Sequence, residues 1–238
     1  MKIAVVGEGH LAEATADCCR EWFDLSTPRE ADLVWFAVDT PVSDDDEPDV
    51  DYVIEELRRT LRDTNTTTPV LISSQLPVGT CARVEAEFPE HHLAAQPENV
   101  RKASAVADFR AQRRIVVGTR HEEDHELIRS VVSKFCADPH GILFMSPESA
   151  EMCKHVLNAY LALCIVFANE AAEVCSKVGA DVDDVFQGFR LDPRVGDGPL
   201  KPGGPYRGKT LGRDVVVMSG LDAGPVLSAI KRSNDRRL

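Results

Sequence analysis

Three groups of residues combine types and spacing that suit chemistry. The first is Gly7-Glu8-Gly9-His10-Leu11-Ala12, placed between the apolar run Ile3-Ala4-Val5-Val6 and a helical stripe of Leu11, Ala14, Thr15, Cys18, Cys19 and Trp22. It fits the Gly-x-Gly-x-x-Gly/Ala pattern with Ala12 in the third place. Gly7 permits a sharp turn, Gly9 lets the backbone approach a pyrophosphate, and a small third residue lets helix and strand pack closely, with the helix N-terminus facing the phosphates. The alternative is a strand-to-helix turn that holds no phosphate. The second group is Lys154 and Asn158, four residues apart and so on one face of a long apolar helix. A polar pair in so apolar a setting favours function over a lysine that merely snorkels. The third is Gly203-Gly204-Pro205-Tyr206-Arg207-Gly208-Lys209-Thr210-Leu211-Gly212-Arg213-Asp214. Its hydroxyl, Thr210, is a poor nucleophile unless a base stands beside it.

The elements that must position these groups alternate. Strand-like runs lie at 2–6, 32–38, 70–74, 92–95, 115–118 and 142–145, with helical stripes at 50–62, 80–88 and 122–135. This predicts an α/β fold, a Rossmann-like, mostly parallel, doubly wound sheet over residues 1–146. The domain is shortened after the first helix: only Asp24 is available as the acid that would hold a ribose near the end of a second strand, and it serves equally well as a turn residue. From Pro147 to Val178 there is neither Gly nor a further Pro, so one helix of about 30 residues, roughly 45 Å long, is expected. Residues 147–238 are therefore read as a helical domain with one long helix, a second helix at 181–189, a Gly/Pro-rich active-site-like loop at 196–214, a pair of short elements and a charged tail from Lys231. The long helix is apolar nearly all round. Either a homodimer through residues 150–178 or burial within one chain would cover it.

The chain has 238 residues with 27 basic against 39 acidic, a net charge of −12, which argues against nucleic acid or an anionic membrane as the main partner. Met1-Lys2 leads straight into the first strand, so no signal peptide is expected, and no run of 18 apolar residues occurs. Seven cysteines without a Cys-x-x-Cys pair fit reduced thiols and a cytoplasmic setting, and no metal ligand set is assigned.

Several blocks in order resemble the UDP-glucose/GDP-mannose (nucleotide-sugar) dehydrogenase family across nearly the whole chain. They are the glycine turn, Ala31 to Pro41, Leu76-Pro77-Val78-Gly79-Thr80, Gln96 to Phe109, Ser149 to Lys154 with Asn158 and Asn169-Glu170, Leu191 to Gly196, and the loop ending in Arg213-Asp214. The resemblance implies a Rossmann domain for NAD (the residues do not choose between NAD and NADP), a helical dimerisation domain, and a small-molecule substrate, a sugar nucleotide or related polyol. It implies cofactor contacts at Gly7, Gly9, His10, Leu11, Asp24, Val38, Thr40 and Pro41. Catalytic roles fall on Glu98 (proton transfer through water), Lys154 (an oxyanion at the sugar carbon), Asn158 (the same oxygen or a water) and Asp214 (placing a water or base), and substrate contacts on Arg194, Tyr206 and Gly208. Thr210 stands where the family has its cysteine nucleophile, and Asp39 where it has a glycine beside the cofactor. The expected activity is an NAD(P)-dependent, UDP-glucose 6-dehydrogenase-like oxidoreductase limited to a single hydride transfer or altered chemistry. The alternative is an inactive dimeric binding or assembly protein, a pseudoenzyme.

Overall fold

The computed structural model describes residues 1–43, 48–98, 100–195, 200–207, 209–221 and 224–238. The chain divides into two compact units, Met1–Pro41 with Pro48–Lys154 and Val42–Glu47 with His155–Leu238.

The first unit runs β1 (Lys2–Val6), α1 (His10–Cys19), β2 (Asp24–Leu25), β3 (Leu33–Phe36), α2 (Val50–Arg62), β4 (Val70–Ile72), α3 (Thr80–Glu87), β5 (Leu93–Ala95), α4 (Ala105–Arg110), β6 (Ile115–Thr119), α5 (His125–Val132), β7 (Ile142–Met145) and the first turns of α6 (Pro147–Val178). The seven described strands lie in the order β2-β1-β3-β4-β5-β6-β7. Every pairing is parallel except β5 with β6. β3 and β4 are buried at every position, as strands covered on both faces must be. One face packs around Trp35, Phe109 and Phe135, whose rings sit 5.0–5.9 Å apart. The Trp35 indole N–H donates to Ser73 Oγ at 2.8 Å, and Ser73 donates on to Gln96 Oε1 at 2.6 Å, so the indole N–H and the serine hydroxyl are both satisfied. The other face is built by Val53, Ile54, Leu57 and Leu61 of α2 against Val34, Phe36 and Val70. Between β2 and β3 the chain makes only a 3-10 turn, Pro28–Glu30. The shortening expected after the first helix is this missing crossover helix.

The start of α6 lies against β6 at Gly118, where a Cβ would stand 2.6 Å from the Ala150 side chain. Glu151 then reaches α3: its carboxylate accepts from the backbone N–H of Gly79 at 2.6 Å and of Cys81 at 2.9 Å. The negative charge meets the positive end of the α3 dipole, and Gly79 takes the left-handed φ of 90° that turns the chain into the helix.

The second unit contains the rest of α6, then α7 (Val182–Arg190), α8 (Lys209–Gly220) and α9 (Pro225–Asp235). Gly179 stops α6 at φ 76°, and Asp181 caps α7 by accepting from the N–H groups of Asp183 and Asp184 at 2.9 and 3.0 Å. Ala162 and Val166 of α6 pack with Val215 of α8 and Ile230 of α9, while Cys164 and Ala168 pack with Phe186 of α7 and Leu200. By length and composition α6 could also cross a membrane; part of its apolar surface packs within the second unit, and 39% of its most apolar window is buried. The short elements expected near the C-terminus are two full helices, and the expected charged tail is helical as far as Asp235 because it carries buried groups. Asn234 is 2% exposed; its amide accepts from Tyr206 N–H at 2.9 Å and donates to Tyr206 O at 3.2 Å.

Candidate functional site

In the first unit the glycine turn has the backbone its sequence demands. Gly7 and Gly9 take φ of 139° and 95°, and a Cβ at Gly7 would lie 2.5 Å from Ala37 O. α1 begins at His10 with no side-chain cap, so its first N–H groups face outward, and Ala12 is buried as close helix–strand contact requires. This cradle fits a dinucleotide pyrophosphate. One side chain stands over it: a Cβ on Gly9 would be 2.4 Å from Asp39 Oδ2, and that oxygen accepts from His10 Nδ1 at 3.1 Å. The carboxylate lies where an anion would dock, but both side chains are about a third or more exposed, so the pair can rotate away. Val38 is buried beyond β3, Thr40 donates to Gln75 O at 2.7 Å, and Pro41 is exposed; all three follow the strand end beside the glycine turn. Leu11 points into the core.

Asp24 is elsewhere. The parallel register sets it beside Lys2, at the end of β1 away from the glycine turn and about 13 Å along the strand at 3.3 Å per residue. A two-residue β2 does not carry an acid up to the cofactor side.

Two expected catalytic residues meet in this unit. Lys154, 7% exposed, donates from Nζ to the carbonyl oxygen of Glu98, and Nζ lies 4.0 Å from the Glu98 carboxylate. Glu98 is also held by Val100 N–H. The chain beyond is clamped by Arg101, which makes a two-pronged contact with Asp108 at 2.9 and 2.7 Å. The Arg101 hydrogen bonds hold the Asp108 carboxyl well below the usual carboxylate range.

The second unit gathers another group. Asp214, fully buried on α8, accepts from His155 Nδ1 at 3.1 Å, from Arg213 Nε at 3.3 Å and from the Asn158 amide. Burial alone would push the Asp214 carboxyl up. The His155 hydrogen bond, the Arg213 charge and the Asn158 hydrogen bond outweigh it, and the net direction is down. Asp214 therefore stays ionised in the interior, as a charged acceptor ringed by donors.

The expected substrate residues are dispersed. Tyr206 is 9% exposed and is fixed by Asn234. Arg194 lies 87% exposed and pairs with Asp192 at 2.6 Å. Thr210 is exposed in the first turn of α8. Gly208 lies outside the described residues, as do 196–199 of the expected loop. Asn169 fastens the described part of that loop, accepting from Gly203 N–H at 2.8 Å and donating to Gly204 O at 3.1 Å.

Sequence reasoning missed His155, Arg213 and Glu151. His155 and Asn158 are three apart on one helix, a spacing that could have flagged them as joint partners of one group. Glu151 carried no signal, because its partners are backbone N–H groups of a distant turn.

The UDP-glucose/GDP-mannose dehydrogenase family matches over most of the chain: its NAD binding domain at residues 8–136 and its central domain at residues 148–235. UDP-glucose 6-dehydrogenase of Rickettsia prowazekii is 30% identical over 218 residues, 88% of this chain and 50% of the relative. That of Pseudomonas aeruginosa is 31% identical over 227 residues, 87% of this chain and 49% of the relative. The chain thus spans about half the length of the curated relatives it matches. A UDP-glucose dehydrogenase from Pyrobaculum islandicum superposes with a TM-score of 0.78 at 28% identity, covering 96% of this chain and 57% of that one. UDP-D-ManNAc dehydrogenase from Pyrococcus horikoshii shares the fold, with a TM-score of 0.83 at 19% identity over 100% of this chain and 69% of that one. NAD is the cofactor of the domain that residues 8–136 form. The glycine turn, the buried Lys154 and the ionised Asp214 thus belong to a chain that is a member of the UDP-glucose/GDP-mannose dehydrogenase family.

Proposed function

We propose that this chain is an NAD-dependent oxidoreductase that takes one hydride from a primary alcohol of a sugar nucleotide or related polyol and stops at the aldehyde. The observation that carries the reading is the buried Lys154 ammonium held against Glu98 on the helix that also bears Asn158. NAD held at the Gly7–Ala12 turn would supply the hydride acceptor. Lys154 stabilises negative charge as the alcohol oxygen loses its proton, and Glu98 receives that proton through a water. Asp214 acts on Asn158 and His155 as a positioning residue. The balance is one C–H hydride to NAD and one O–H proton to solvent, leaving C=O. A second oxidation in which a thiol first adds to the aldehyde has no sulfur at Thr210 to begin it.

The test is incubation with NAD and a panel of UDP- and GDP-sugars, following absorbance of the reduced nicotinamide and trapping aldehyde with a hydrazine. Reduction of one NAD per aldehyde is expected. Reduction of two NAD with formation of an acid, or no reduction with any sugar, would defeat this reading.

A second reading is favoured by Asp39 over the cradle: a dimeric binding or assembly protein that has given up the cofactor. It predicts no rise in melting temperature with NAD, whereas a ligand that binds only the folded chain must raise it. In both readings a homodimer covers the exposed stripe Val156, Tyr160, Phe167, Val174 and Val178 on α6, and the seven free cysteines suit a cytoplasmic setting.

A further inference from the structure

The single antiparallel junction among the described strands brings two histidines together. β5 and β6 pair with Ala94 opposite Thr119, so two residues outward His92 stands opposite His121 on the same face. Their rings stack with centroids 3.9 Å apart and planes 12° from parallel. The turn after β6 runs straight into Glu122-Glu123-Asp124. Asp124, 8% exposed, accepts from His92 Nδ1 at 2.8 Å. With the proton held on Nδ1, the lone pair of neutral His92 sits on Nε2. That atom faces Glu123, whose Oε1 is 4.0 Å away, and the same Oε1 lies 3.3 Å from His121 Nδ1. The three donor atoms, two imidazole nitrogens and one carboxylate oxygen, all lie within 4.8 Å of one another.

The geometry points to a divalent transition-metal site of the zinc class at His92, His121 and Glu123, outside the dehydrogenase chemistry. Imidazole and carboxylate donors suit such an ion at about 2.0–2.2 Å, and tetrahedral donors around it stand roughly 3.4 Å apart. Glu123 Oε1 already stands 3.3 Å from His121 Nδ1, and the 4.0 Å to His92 Nε2 closes by a swing of the 64% exposed Glu123 side chain, while the part-exposed His121 ring has to turn out of the stack so that the two in-plane lone pairs converge on the ion. The buried Asp124 behind His92 completes a carboxylate–histidine–metal relay, the arrangement that fixes the tautomer and orientation of a metal-ligating imidazole. Arg120, which would repel a cation, pairs with Glu85 at 2.7 Å and with Glu148. Three protein donors leave one coordination position for water, so the ion would pin the β5–β6 junction.

The full chain, stripped with EDTA and dialysed, is titrated with Zn²⁺ by calorimetry and with Co²⁺ by visible absorption. One ion per chain with the intense bands of tetrahedral cobalt is expected. His121→Ala and Glu123→Gln should each weaken binding at least tenfold, and Asp124→Asn should weaken it about 10–100-fold while keeping the stoichiometry. Glu123 is exposed, so Glu123→Gln tests the site even if His121→Ala fails to fold. Absence of a stoichiometric site in the wild-type chain, or binding that Glu123→Gln leaves unchanged, would overturn the assignment.

Discussion

Asp39 decides how well the glycine turn can serve its cofactor. A carboxylate beside the seat of a pyrophosphate repels it, by about 1 kcal/mol for two charges 4 Å apart in water. Asp39→Gly should therefore tighten NAD binding roughly five- to tenfold, as read by calorimetry. An unchanged or weaker affinity would mean that the side chain swings clear at no cost. Asp214 makes a prediction of the opposite kind. Its folded pKa lies below the unfolded value near about 3.9, so its contribution to stability is complete above that value and is lost as pH falls through the folded one. Asp214→Asn should cost about 3–5 kcal/mol at neutral pH, because it leaves Arg213 buried without its anion. It should also flatten the acid limb of a denaturation series measured from pH 6 down to about pH 2. The thiols divide by burial: desolvation pushes Cys19 up to about 12 and holds Cys81 well above the usual thiol range. Ellman's reagent on the native protein should reach the part-exposed Cys136 and spare Cys19 and Cys81 until denaturant is added. At this scale the sequence was readable where the chemistry is local. Gly7 and Gly9 declared their conformations by spacing. The His92–His121 pair did not, because 29 residues separate partners that only strand register joins.

Among the elements, α6 was the most legible, since a Gly-free, Pro-free stretch from 147 to 178 has few other things to be. Its outward side chains follow a helical stripe from Val156 to Val178, and the rings of Phe167 and Phe189 stand 6.2 Å apart beside it. A change of Phe167→Glu together with Tyr160→Glu should turn a dimer into a monomer in sedimentation velocity while leaving the circular dichroism of the chain intact. A monomeric wild type would remove the reason for the stripe. β2 was the least legible. Nothing in Phe23-Asp24-Leu25 announces that the strand will be two residues long or which end of β1 it will join, and the role foreseen for Asp24 depended on that register. α9 was misjudged for a related reason: its charge pattern hides Asn234, which is buried because it stands in for a backbone partner of Tyr206.

For the whole molecule, alternation of strand and helix foretold the doubly wound sheet, and the family match over residues 8–136 and 148–235 agrees with it. The β5–β6 reversal was invisible, because antiparallel and parallel neighbours in a covered sheet present the same apolar runs. The bare 3-10 turn between β2 and β3 also shapes how the sheet meets other chains. A margin of two residues offers a passing polypeptide only a rung or two of unpaired backbone, too little to template growth. The opposite margin, β7, presents four residues with Leu143 turned outward, so edge-to-edge association of folded copies would start there, and a charge at Leu143 would be the first place to block it.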